Sequence, residues 1–122
     1  MNNLAARYRP LLRVAAWFAV GITLLFALVP HPPHVFRWDK ADHGLAFVSL
    51  GLAFSFAYPT IHWLWIAAGL LAFGGAIELL QGLTFIHRDS DVMDWLADAV
   101  AILGAIGLFK LVVRSLSRSP AA

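Results

Sequence analysis

The sequence contains no cysteine, which removes a disulfide framework, a thiol nucleophile and any thiolate metal site. Charge is scarce as well. Only 13% of the 122 residues are Asp, Glu, Lys or Arg, about half of what a soluble domain carries. Acidic residues are missing altogether before Asp39 and after Asp98. There is no HExxH or comparably tight ligand spacing, and no repeat of solenoid period.

What the chain has instead is apolar length. Hydrophobic residues make up 61% of it and the mean hydropathy is +0.76. A membrane-crossing helix needs about 20 apolar residues, and several runs approach or reach that. The expected fold is all-α: an integral membrane four-helix transmembrane bundle, with the lipid bilayer as its principal partner. The length leaves room for one such bundle.

Taken in order, residues 1–10 read as a polar, basic tail with Arg7 and Arg9 ahead of Pro10. Residues 11–113 form the single bundle domain, and 114–122 a second basic tail. The first apolar run, Leu11 to Val29, has Arg13 close enough to its start to snorkel outward. A basic start before an apolar run also describes a signal peptide. Here the core is long and passes into Pro30-His31-Pro32-Pro33 with no small-x-small site, so a retained helix is expected. The second run, from Gly44 to Tyr58, has 15 residues. That is roughly 22 Å of helix against a hydrocarbon core of about 30 Å. For it to cross, Asp42 and His43 must sit at or within the membrane boundary. Pro59-Thr60-Ile61-His62 forms a tight uncharged turn, with Trp63 and Trp65 placed as interfacial aromatics. The third run spans about Trp63 to Phe85 and the fourth about Asp91 to Val113.

Four crossings bring both termini to one side, which then carries Arg7, Arg9, Arg13, Lys110, Arg114 and Arg118, six basic residues and no acid. The other side holds three basic residues, Arg37, Lys40 and Arg88, against all seven acidic ones. The positive-inside rule therefore places both termini in the cytoplasm. The pI near 9.5 reflects this orientation, and nucleic acid is not an expected partner.

The polar residues of the acidic half fall on helical faces. Glu78 and Gln81 share a face with Gly74, Gly75 and Gly82. Asp91, Asp94 and Asp98 follow at i, i+3 and i+7, on a face shared with Ala101 and Ala105. Ala97, Ala101 and Ala105 recur at intervals of four, the small-residue spacing that allows close helix approach, within the chain or in a homodimer. Asp39, Asp42 and His43 fit one face at the start of the second helix. The predicted site therefore comprises Asp39, Lys40, His43, Glu78, Gln81, Arg88, Asp91, Asp94 and Asp98.

Asp39-Lys40 followed by His43, then Glu78-x-x-Gln81, then Arg88 with Asp94 six residues on and a polar residue at 98, resembles the signature of VanZ-like membrane proteins. The resemblance covers roughly residues 39 to 107. It implies a small helical membrane protein of the bacterial envelope, in a family whose name-giving member is associated with teicoplanin resistance. The chain departs from the family pattern at Phe85-Ile86-His87-Arg88, where a Pro-Gly often precedes the arginine. It also has Asp98 where Asn is common and Ala101 where Gly is common.

Each group has a plainer reading beside the functional one. Asp39 or Asp42 can cap a helix start. Glu78 lies about five residues inside its helix, so capping does not explain it. It serves either as a buried partner of Arg88, Lys40 or His43, or as a working carboxylate. Arg88 can hold an anionic head group or pair with Asp89, Asp91 and Asp94. If chemistry occurs, Glu78 and His43 are the candidate catalytic acid and base. His43, His87, Asp91, Asp94 and Glu78 offer oxygen and imidazole donors, but without tight spacing no metal and no cofactor is expected. Ser49 and Ser55, in mid-helix, are expected to bond back to helix carbonyls. The implied function is an envelope role, binding or modifying a lipid, a lipid-linked precursor or a lipoglycopeptide. The alternatives are an intramembrane acid–base enzyme and a structural bundle.

Overall fold

A computed structural model describes residues 3–28, 39–83 and 92–117, with side chains for 6–28, 44–83 and 92–117. Four helices account for nearly all of these: α1 Asn3–Leu28, α2 Asp39–Ala57, α3 Trp63–Gln81 and α4 Val92–Ser117. All are helical where the apolar runs predict helix, but three boundaries differ. The first helix begins at Asn3 instead of Leu11 and carries Pro10 in its interior. Proline there removes one donor to the Ala6 carbonyl, and Ala6 is exposed, so solvent can serve that oxygen. α3 stops at Gln81 rather than Phe85. α4 runs on past Val113 to Ser117, whose hydroxyl donates to the Arg114 carbonyl at 3.0 Å.

The second helix is longer than its apolar run. It starts at Asp39 and so has 19 residues, about 28 Å of rise. Asp39, Asp42 and His43 belong to its first turns.

Long-range bonds give the alternation of the helices. Arg13, early in α1, donates through Nε to the Ala57 carbonyl at the end of α2 at 3.2 Å. Gln81, at the end of α3, donates through Nε2 to the Ala27 carbonyl at the end of α1 at 2.8 Å. Lys110, late in α4, lies 4.9 Å from the centre of the Trp63 ring at the start of α3. The helices therefore run up, down, up, down, and α2 and α4 are parallel. α2 and α3 each touch every other helix, whereas among the described residues α1 and α4 do not meet.

The parallel α2–α4 contact is the most extensive, and small residues permit it. A methyl group added to Gly51 would stand 2.8 Å from the Ala105 Cβ, closer than two carbons can approach. Ala105 is therefore one alanine of the small-residue ladder that is used inside the chain. Leu50, Phe47, Leu70, Ile77, Ile102 and Ile106 fill the core around this contact.

The outside is as apolar as the inside. Leu79, Trp65, Val100 and Leu116 are each more than 70% exposed. The most apolar stretch of α1 has a mean hydropathy of 2.1 with only 11% of it buried. A surface of that kind is compatible with a lipid solvent. α1, α3 and α4 are each long and apolar enough to cross a membrane, while the purely apolar part of α2 is shorter.

Candidate functional site

On α3 the buried positions are Ala67, Leu70, Gly74, Ile77, Glu78 and Gln81. Their spacing of three and four marks one inward face, polar at its C-terminal end. On α4 the buried positions are Asp98, Ile102, Ala105 and Ile106, again one face with its polar member near the start. Antiparallel packing of α3 on α4 brings these two polar ends together.

Glycine sets the distance between them. A Cβ on Gly74 would lie 3.1 Å from Asp98 Oδ2 and 3.4 Å from the Phe47 ring. The Asp98 carboxylate therefore occupies the space a larger residue at 74 would fill. Glu78 sits one turn further along the same face of α3 and, with Asp94, is within electrostatic reach of Asp98. Asp98 is 1% exposed, Gln81 1% and Glu78 7%, so all three are inside the bundle. Asp94 is half-buried at the rim. Phe47, tilted against Phe73, packs between this acidic cluster and the core layer of Leu50, Leu70 and Ile102.

The structure thus brings together Glu78, Gln81 and Asp98, with Asp94 beside them. Gln81 already has a task, since its amide nitrogen is bonded to the Ala27 carbonyl. That oxygen is one of the last four of α1, which have no partner within the helix. Asp39, Lys40 and His43 belong to the first turns of α2, with His43 one turn before Phe47 and their side chains outside the described residues. Arg88 and Asp91 lie outside the described residues altogether, as does His87. Among the described residues no three His, Asp or Glu side chains converge as metal ligands do.

Three residues matter here that patterning does not reveal. Trp95 reaches from α4 to donate through Nε1 to the Leu71 carbonyl at 3.0 Å. It lies beside Gly75, where a Cβ would stand 3.4 Å from the indole nitrogen. A half-buried indole N–H needs an acceptor, and the Gly74-Gly75 pair is the only local signal that one helix leaves room for it. Phe47 shields Asp98 on the α2 side. His62 is more than an interfacial residue: it is the N-cap of α3, its Nδ1 accepting from the Leu64 N–H at 3.2 Å. The serine expectation divides. Ser49 bonds back to the Leu45 carbonyl at 2.8 Å, while the buried Ser55 hydroxyl has no hydrogen-bond partner among the described residues. Arg13 does not simply reach outward, since it ties α1 to the end of α2 and lies 4.8 Å from the centre of the Tyr58 ring.

Comparison with family models, curated proteins and solved structures finds no match. The class that fold and site define is an all-helical protein with membrane-spanning character and two acidic side chains buried between its helices.

Proposed function

We propose that the chain is a VanZ-like four-span protein of a bacterial inner membrane, with both termini cytoplasmic and its acidic pocket opening to the outer face. In this reading the pocket binds or modifies an amphiphilic envelope ligand: a lipid, a lipid-linked wall precursor or a lipoglycopeptide such as teicoplanin. The carrying observation is the burial of Glu78 and Asp98 on facing helices within otherwise apolar segments. Ionisable groups in such places are costly and mark ligand or ion sites by default. The acyl part lies between helices, and the head group meets Glu78 and Asp98 from within, with Lys40 and Arg88 supplying positive charge. If the ligand is turned over, Glu78 and His43 are the acid–base pair.

A second reading has its own support. The Gln81–Ala27 bond is the kind of tie a purely structural polar cluster would make, and the carboxylates would then hold helices together. Native mass spectrometry of protein gently released from its membrane separates the two. The ligand reading expects a lipid-class mass on the wild type that is lost in both Glu78→Gln and Arg88→Ala, with all three proteins unfolding at similar temperatures. Early unfolding of both variants with no bound species in the wild type would leave only the structural role. Retained binding with lost turnover in Glu78→Gln would make the protein an enzyme.

A further inference from the structure

We propose that the opposite, basic end of the molecule holds a phospholipid with an anionic head group, one acyl chain lying in a groove between α1, α2 and α3. The groove encloses about 380 Å³ and is lined by aromatic and apolar groups, chief among them Trp17, Phe54, Tyr58, Trp65 and Phe73, with Gly69 also in its lining. It is open on one side, where Trp17 and Trp65 are more than half exposed. In a protein with this apolar exterior, that opening faces lipid.

The groove is also polarised. Arg9, Arg13, Trp17 and Val20 follow one another at four, four and three residues, a single stripe along α1. Trp17 and Val20 line the groove, and the arginines continue the stripe beyond its mouth. Arg13 is held there by its Nε bond to Ala57 and by the Tyr58 ring. Those contacts use one of the five guanidinium donors and leave the two terminal nitrogens to meet a phosphate. Arg9 and Arg13, four residues apart on a helix, repel each other, and an anion between them removes the repulsion. No acidic residue precedes Asp39 or follows Asp98, and Glu78, Asp94 and Asp98 gather at the other end, so nothing at this end competes for the two cations. A phosphate at the arginines and a chain beside Trp17 match a membrane lipid in both order and polarity. This site is independent of the acidic pocket and of what that pocket binds.

The test uses the full chain in phosphatidylcholine vesicles containing a minority of phosphatidylglycerol, with brominated chains on one lipid or the other. Brominated phosphatidylglycerol should quench tryptophan fluorescence more strongly than brominated phosphatidylcholine at equal mole fraction. The local enrichment should approach about twenty-five-fold, at roughly fivefold for each arginine, and the excess should fall in Trp17→Phe and vanish when Trp65 is changed to Phe as well. The preference should be lost when Arg9 and Arg13 are both changed to Gln and kept when both become Lys. Gly69→Leu retains every charge, and a Cβ at 69 meets nothing within 4 Å, so the side chain fills the groove and should abolish the excess quenching. Equal quenching by both lipids would overturn the proposal. So would a preference that survives Gly69→Leu, which would reduce it to general attraction by a basic surface. Protection of the tryptophans from both brominated lipids, together with a dimeric mass, would give the groove to a second copy of the chain instead.

Discussion

The two ends of the bundle handle charge in opposite ways. At one end Arg13 and Lys110 stay at the surface, each over an aromatic ring, and Arg13 also bonds the terminal carbonyl of α2. A cation at a helix C-terminus is favoured by the helix dipole, and water or lipid head groups can replace either contact at little cost. At the other end Glu78 and Asp98 are drawn into the seam between α3 and α4, where Gly74 makes room for a carboxylate and Phe47 covers it. Packing alone would favour apolar residues there. The basic end is thus explained by local stabilisation, whereas burial at the acidic end carries a desolvation cost that packing does not explain. That asymmetry is the physical reason for proposing a ligand site among the acids.

One substitution made at two places on α3 puts the contrast to its strongest test. Gly74→Leu drives a side chain into Asp98 and Phe47, where even a Cβ is already tight at 3.1 and 3.4 Å. The expected loss is about 3 kcal/mol, through forced separation of α2, α3 and α4. Gly69→Leu, little more than one turn away, meets open space. It should leave stability unchanged or raise it by up to about 1 kcal/mol, because glycine is a poor helix former. Unfolding in mild detergent titrated with sodium dodecyl sulfate measures both. Equal losses at the two positions would mean that the acidic seam is no more closely packed than the groove.

A smaller effect belongs to Gln81. Gln81→Leu preserves approximate volume but strips the Ala27 carbonyl of its 2.8 Å bond. An acceptor left unpaired in a buried place costs about 1–3 kcal/mol, and the same titration should show it. If the ligand reading holds, this variant loses stability but keeps a lipid-class mass in native mass spectrometry. Loss of the bound mass at unchanged stability would make Gln81 a ligand contact instead of a tie between α1 and α3.

Those contrasts also show what the linear pattern can carry. Apolar run length locates four helices, and helical spacing places Glu78 and Gln81 on the face of Gly74, and Asp98 on the face of Ala105, where the structure has them. Periodicity states which residues share a face; it does not state which helix receives that face. The Gln81–Ala27 tie joins residues 54 apart, and the Trp95–Leu71 bond joins residues 24 apart, so neither has a local signature. The same holds for Ala105, whose spacing suits a partner chain as well as Gly51. The helical path through Pro10 and the His62 cap depend on local balances too fine for composition to reveal. A proline penalty is offset where the freed carbonyl is wet, and an imidazole substitutes for the usual capping hydroxyl or carboxylate.

The smallest expected effect lies at the basic end and completes the comparison. Arg13→Gln removes the contact with the Tyr58 ring and the charge that favours the end of α2. Both are exposed or nearly so, where a cation–π contact contributes about 0.5–1 kcal/mol and a charge at a helix terminus a similar amount. The glutamine amide can still donate to the Ala57 carbonyl. The net change in unfolding free energy should therefore be below about 1 kcal/mol, and added salt should shrink it further because exposed charges are screened. A loss as large as that of Gly74→Leu, unaffected by salt, would show Arg13 to be a buried structural pin. The two ends would then differ in the sign of their charge and not in how they hold it.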